Sequence, residues 1–181
     1  MLSIDNTVLL VIDFQDKLMP AIFNHEVLVK KAAACIAGCK LLNIPILTMQ
    51  QYTKGLGETV RPLQNALDVF EPIEKITFSC CKNAEFVDKL KRLKRKNIII
   101  TGIEAHICVQ QTVLDLLEAE YNVYVAADCI GSRNETDRMY AEKRMENAGA
   151  VFSTMESFLF ELLVKADHPK RKDITNLIVN L

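Results

Sequence analysis

The sequence predicts an α/β fold of three layers, α/β/α, built on a central, mainly parallel six-stranded sheet. Three observations predict it. The runs Thr7–Phe14 and Asn97–Thr101 are apolar on both faces, as strands buried between helices are and strands of a one-sided sheet are not. Stretches with apolar residues at helical spacing separate such runs, and the strand–helix alternation continues along the chain, which requires right-handed crossovers. No linker, repeat or low-complexity segment interrupts the pattern, and 181 residues suffice for one domain with a sizeable core.

The elements follow in order. Strand one is Thr7–Phe14 and carries Asp13 near its end. After a loop with Pro20, His25–Leu42 reads as a helix whose stripe is Leu28, Ala32, Cys35, Cys39 and Leu42. Asn43 caps it, and Pro45–Gln50 is strand two. The loop Gln51–Pro62 holds Gly55 and Gly57, Pro62–Phe70 forms a short helix, and Glu74–Ser79 is a weak strand carrying Lys75. Ala84–Lys96 is helical, with Phe86, Leu90 and Leu93 inward and a basic outer face of Lys89, Lys91, Arg92, Lys94, Arg95 and Lys96. On a nearly neutral chain that face reads as a solvated surface with cations near a helix C-terminus, not as a nucleic-acid patch. Gly102 ends the Asn97–Thr101 strand, and Val109–Glu120 is the next helix. Val123–Ala127 is a strand, Glu135–Asn147 a charged helix capped by Gly149, Ala150–Ser153 a short strand, and Met155–Ala166 a closing helix.

Residues 1–167 thus complete the domain. The tail, 168–181, has Ile174, Leu177, Ile178 and Leu181 at helical spacing. It either packs on its own domain or reaches a neighbouring subunit, and the completeness of the domain without it favours an oligomer contact.

Half the residues are hydrophobic, 25% are charged and the net charge is −1, which gives no global attraction to nucleic acid or anionic membrane. The N-terminal apolar run has no basic flank and is broken by Asp13, so neither a signal peptide nor a membrane span is expected, and a cytoplasmic location follows. The six cysteines are Cys35, Cys39, Cys80, Cys81, Cys108 and Cys129. They are expected as reduced thiols, with no zinc-ligand spacing among them.

Chemistry concentrates where strands end. Cys108 follows a buried strand and opens a helix, at the edge where open α/β sheets bind ligands. A helix N-terminus there is expected to lower its pKa and supply thiolate. Asp13 follows strand one and Lys75 lies on the third strand segment, where the fold would bring them together with Cys108. Singly, each has a plain structural role available. Together on one edge they suggest a site, with Cys108 as nucleophile.

These residues lie within motifs that resemble the isochorismatase-like cysteine hydrolases, which include nicotinamidases and N-carbamoylsarcosine amidohydrolases. The motifs are Asp13-Phe14-Gln15, Lys75 followed by Phe78-Ser79, and Gly102-Ile103-Glu104-Ala105-His106-Ile107-Cys108-Val109. The resemblance implies a Rossmann-like fold and a catalytic triad of Asp13, Lys75 and Cys108. It also implies a cis peptide at Ile103–Glu104, which turns the Glu104 N–H toward the site beside the Cys108 N–H as an oxyanion hole. Phe14, Gln15, Gln50, Gln51, Tyr52 and Ile103 are candidates for the substrate pocket.

The family's nicotinamidases bind a metal through Asp and His residues after strand two. Here Met49–Lys54 has neither, so no metal and no cofactor is expected, and nicotinamidase activity is disfavoured. Isochorismate cleavage needs no thiol, so retention of Cys108 also argues against the family's namesake reaction. The expectation is a hydrolase of a small molecule, acting on an amide or similar C–N bond and forming a homo-oligomer. The rivals are a catalytically idle ligand-binding scaffold and a thiol redox protein pairing Cys108 with Cys80, Cys81 or Cys129. His106 is expected to shape the pocket or touch a neighbouring helix, not to form a Cys–His dyad.

Overall fold

The computed structural model describes residues Met1–Leu181. Six strands, β1 (Thr7–Ile12), β2 (Ile46–Gln51), β3 (Ile73–Lys75), β4 (Asn97–Ile103), β5 (Asn122–Gly131) and β6 (Val151–Ser153), form one sheet in the order β3-β2-β1-β4-β5-β6. Every pairing is parallel. The helices are α1 (His25–Leu41), α2 (Thr53–Leu56), α3 (Arg61–Ala66), α4 (Ala84–Leu93), α5 (Gln110–Glu118), α6 (Glu135–Asn147), α7 (Met155–Leu163) and α8 (Arg171–Val179).

The period-2 alternation of a strand divides the core into two layers. Leu9 and Val11 of β1, with Ile99 of β4, face Ile36, Phe158 and Leu162 from α1 and α7. Val8, Leu10 and Ile12, with Ile98 and Ile100, face Phe86, Val113, Leu116 and Met145 from α4, α5 and α6. All six β1 residues are therefore buried, which is why the run reads as apolar on both faces. The chain winds one way from β1 to β3 and the other way from β4 to β6. The reversal leaves a crevice between the carboxyl ends of β1 and β4, the place where such sheets bind ligands.

Several local expectations need correction. Gly102 does not end the central strand, which continues to Ile103. A Cβ on Gly102 would sit 2.8 Å from Ile12 Cβ, 2.8 Å from Val109 Cγ2 and 3.0 Å from the Ile12 carbonyl oxygen. Glycine is there for close approach, not for a turn. The segment after Lys75 leaves the sheet at once, and Cys80–Lys82 is a 3-10 turn capped by the Ser79 hydroxyl. Helix α4 stops at Leu93, because Lys94 takes the left-handed conformation (φ 53°) that commonly ends helices. Helix α8 of the tail packs on its own chain, one of the two placements its spacing allowed: Ile174 is fully buried in the α1/α7 layer, with Leu177 and Ile178 against it. The six cysteines are free thiols. No helix is long and apolar enough to cross a membrane.

Candidate active site

Three segments bring titratable side chains to the β1/β4 crevice. Asp13 directly follows β1 in the left-handed region (φ 60°), a conformation uncommon for a residue with a side chain. The Asp13 N–H donates to the Met49 carbonyl, which continues the sheet ladder past the turn. Lys75 ends β3 in register with Gln51 of β2. Its ammonium donates to Asp13 Oδ2 at 2.7 Å and to Gln51 Oε1 at 2.6 Å. Both side chains of the ion pair are sealed from solvent, at 0% exposure for Lys75 and 2% for Asp13. Asp13 Oδ1 is buried without a hydrogen-bond partner.

Cys108 is buried beside this pair. It does not open an α-helix. Residues Ala105–Val109 form a π-helical turn, and α5 begins only at Gln110. Such widened turns are frequent at functional sites. The Thr112 hydroxyl donates to the Cys108 carbonyl at 2.7 Å and accepts from the Cys80 N–H at 3.0 Å, so it joins the Cys108 turn to the segment that follows Lys75.

The electrostatics differ from the expectation of a lowered thiol pKa. Burial pushes the Cys108 thiol up to about 12, with the Asp13 carboxylate adding to the rise and Lys75 opposing it. Burial likewise raises Asp13 against the pull of Lys75. For Lys75 burial works against the charged form, but Asp13, with Cys108 and Cys80, outweighs it and the ammonium is held above its ordinary range.

The Ile103–Glu104 peptide is not cis, since the chain has no cis peptide bond. The change of direction is made instead by Glu104 itself, at φ 52° and ψ 58°. The Glu104 carboxylate turns toward the β5–α6 loop, where Arg133 Nε donates to Oε1 at 2.8 Å. His106 turns the same way, with Nδ1 3.1 Å from Ser132 Oγ and Nε2 4.0 Å from Asp137 on α6.

The six pocket candidates divide. Phe14 and Ile103 are fully buried. Gln15 donates to the carbonyls of Gln51 and Gly57 and accepts from the Gln51 N–H, which holds the end of β2 from both sides. Gln50 donates to Thr53 Oγ1 and accepts from Thr59. Gln51 accepts from Lys75 and donates to the Ile76 carbonyl. The amides thus bond to the scaffold, and Tyr52 alone of the six is largely exposed. The role of Gln51 toward Lys75 was not legible in the sequence, although two polar amides ending a buried strand were a signal of internal partners.

A groove of about 1320 Å³ lies elsewhere, between α1, α3 and α8. It includes none of Asp13, Lys75 or Cys108, so the chemistry and not the cavity size locates the site. No group of three or more His, Cys, Asp or Glu side chains is arranged to hold a metal ion.

The family model described as "Isochorismatase domain" matches residues 7–157, from the first residue of β1 through the start of α7. The chain belongs to the isochorismatase family. Isochorismatase domain-containing protein 2 of Danio rerio is 36% identical over 179 residues, covering 99% of this chain and 90% of the relative. Among solved structures, MAR1 ribonuclease from Caenorhabditis elegans superposes with a TM-score of 0.93 at 40% identity, over 98% of this chain and 92% of that one. The YcaC gene product of Escherichia coli, an octameric hydrolase of unknown specificity, superposes with a TM-score of 0.87 over 99% of this chain and 95% of its own. At 24% identity that last likeness speaks to the fold alone. The isochorismatase-family chain accordingly has a hydrolase-type fold.

Proposed function

We propose that this isochorismatase-family protein hydrolyses a small molecule at a carbonyl carbon, with amides and related C–N bonds favoured, using Cys108 as nucleophile. The observation that carries the reading is the sealed Lys75–Asp13 pair beside the Cys108 thiol, with one Asp13 oxygen left unpartnered. A buried acceptor without a partner is costly, and such atoms are rare outside sites that use them.

The chemistry is a proton exchange between Asp13 and Cys108. The thiol rests protonated. As it attacks the carbonyl carbon, its proton passes to Asp13, whose basicity burial has raised, while Lys75 balances the negative charge. The Cys108 N–H receives the developing oxyanion; with Ile103–Glu104 trans, the reason for counting the Glu104 N–H beside it is gone. Asp13 returns the proton to the leaving nitrogen, and the C–N bond breaks to leave a thioester. Water then loses a proton to Asp13 and attacks the thioester, and the thiolate departs and is reprotonated. The sum is amide plus water to acid plus amine, without metal or cofactor. The chain is further read as a homo-oligomer in the manner of the octameric YcaC protein, and as cytoplasmic and free of membrane and nucleic-acid partners.

A second reading has one observation in its favour, the 40% identity to a structure named as a ribonuclease. In that reading the basic outer face of α4 would carry RNA. One panel separates the two: ammonia release from small primary amides and cleavage of a labelled RNA, each with wild type and Cys108→Ala. The expected result is amide turnover that Cys108→Ala abolishes and that declines on acidification as Asp13 takes up a proton, above the ordinary carboxylate range. RNA cleavage without amide turnover would overturn the proposal in favour of the second reading. Amide turnover that survives Cys108→Ala would remove the cysteine from the mechanism.

A further inference from the structure

Lys75 and Asp13 belong to strands that are not neighbours. In the order β3-β2-β1, β2 stands between them, so Lys75 reaches Asp13 across two strand spacings, about 10 Å. The residue at the end of the strand it crosses is Gln51, paired in register with Lys75. Gln51 is fixed at backbone and side chain. Its N–H donates to Gln15 Oε1 at 2.7 Å, and its carbonyl accepts from Gln15 Nε2 at 2.9 Å. Its own Nε2 donates to the Ile76 carbonyl at 2.7 Å, which leaves Oε1 to accept from the Lys75 ammonium at 2.6 Å. The reversed amide would set an NH2 group against an ammonium and an oxygen against a carbonyl, so the two partners dictate its orientation. An ammonium has three donors, and a carboxylate offers it two oxygens. Only Asp13 Oδ2 is engaged, at 2.7 Å, and Oδ1 has no partner.

We propose that Gln51 is a positioning residue, whose amide oxygen draws the Lys75 ammonium to one oxygen of Asp13 and so keeps the other free to accept a proton. It acts through Lys75. Because the amide is neutral, it holds the ammonium without a second charge that would compete with Asp13 for it. The inference rests on the hydrolase reading, and it assigns a share of the general-base step to a side chain outside the Asp13/Lys75/Cys108 set.

The test follows Asp13 directly. Its carboxyl carbon is titrated by carbon-13 NMR, with the signal assigned by its absence from Asp13→Asn, and ammonia release from small primary amides is measured across pH on the same proteins. Lys75, Cys108 and Cys80 are the titratable groups close enough to interact with Asp13, and all three remain in each Gln51 variant. Gln51→Met keeps the length of the side chain and loses the acceptor. The ammonium is then free to close on both Asp13 oxygens, which favours the charged carboxylate. The Asp13 titration is expected to move to lower pH and the acid limb of amide turnover to move with it. The kcat is expected to fall about tenfold to a hundredfold, short of the whole of general-base catalysis. Gln51→Glu keeps an acceptor for Lys75 and adds a negative charge, so titration and acid limb are expected to move to higher pH, with more of kcat retained. An Asp13 that titrates in Gln51→Met as in wild type would overturn the inference, and so would a fall in kcat with the acid limb unmoved, or shifts of both variants in one direction. A wild type whose Asp13 titrates but which turns over no amide would overturn the hydrolase reading beneath it, and the opposed titration shifts of the two variants would still decide what Gln51 does to Lys75.

Discussion

The two edges of the sheet are built from similar residues and handled in opposite ways. At the amino edge every conspicuous polar group has a partner. Arg95 donates to the Thr7 carbonyl at 2.9 Å, Asn6 Oδ1 accepts from the Lys96 N–H at 2.7 Å, and Asn122 Nδ2 donates to Asn97 Oδ1 at 3.0 Å. The left-handed residues on that side, Asn43, Lys94, Glu120 and Gly149, each close the helix before them, a conventional use of that conformation. At the carboxyl edge, Asp13, Tyr52 and Glu104 are left-handed directly after strands. The two buried side-chain atoms without a hydrogen-bond partner, Asp13 Oδ1 and Glu104 Oε2, are both there, as is the sealed ion pair. One edge finishes the fold. The other holds strain and unmet polarity in place, as functional sites do.

Substitutions should separate along that contrast. The largest stability effect is expected at the ion pair. Lys75→Met leaves a buried carboxylate without its counter-charge and should cost about 3–5 kcal/mol in denaturant unfolding. Adding Asp13→Asn should recover much of that stability while the protein stays inactive. A Lys75→Met single variant as stable as wild type would break the contrast. Gly102→Ala comes next, since its Cβ would press on Ile12 and Val109 at 2.8 Å, and overpacking of this kind costs about 1–3 kcal/mol. Because Val109 belongs to the Cys108 turn, activity should fall further than stability. The smallest effect is expected at the amino edge, where Asn6→Ala removes the acceptor of the Lys96 N–H, a loss of about 0.5–1.5 kcal/mol. Its turnover of the same amide should equal that of wild type, and a drop there would show that the two edges are coupled.

Much of the carboxyl edge was readable before the fold was known, and what was not has a physical reason. Continuous apolar runs announced β1 and β4 because both faces of those strands are buried. Helix α6 was read at its observed bounds, Glu135–Asn147, with Gly149 just beyond its end. Asp13 and Lys75 were expected on one edge from the charges they place at buried strand segments, and the structure brings the two into contact. The conformations of Asp13 and Glu104 did not follow, because aspartate, though enriched in the left-handed region, adopts it only occasionally, and glutamate carries no such preference. The π turn was likewise silent: Ala105–Val109 has the composition of an ordinary first helical turn. The raised Cys108 thiol was not readable either, because its burial and the nearness of Asp13 depend on tertiary packing. The tail was read as apolar at helical spacing, but spacing does not say which surface receives it, and the receiving surface proved to be the chain's own α1/α7 layer.

The lengths of the outermost strands have a consequence for how the molecule lives among others. β3 and β6 each have three residues, the shortest in the sheet. An open sheet invites strand addition through the unpaired backbone of its margins, and short margins are one way chains discourage it. On the β3 side this brevity guards more than solubility. Lys75 is the last residue of that margin, so an invading strand would have little ladder to grip beside the lysine, and the ammonium keeps its place next to Asp13 in a crowded solution.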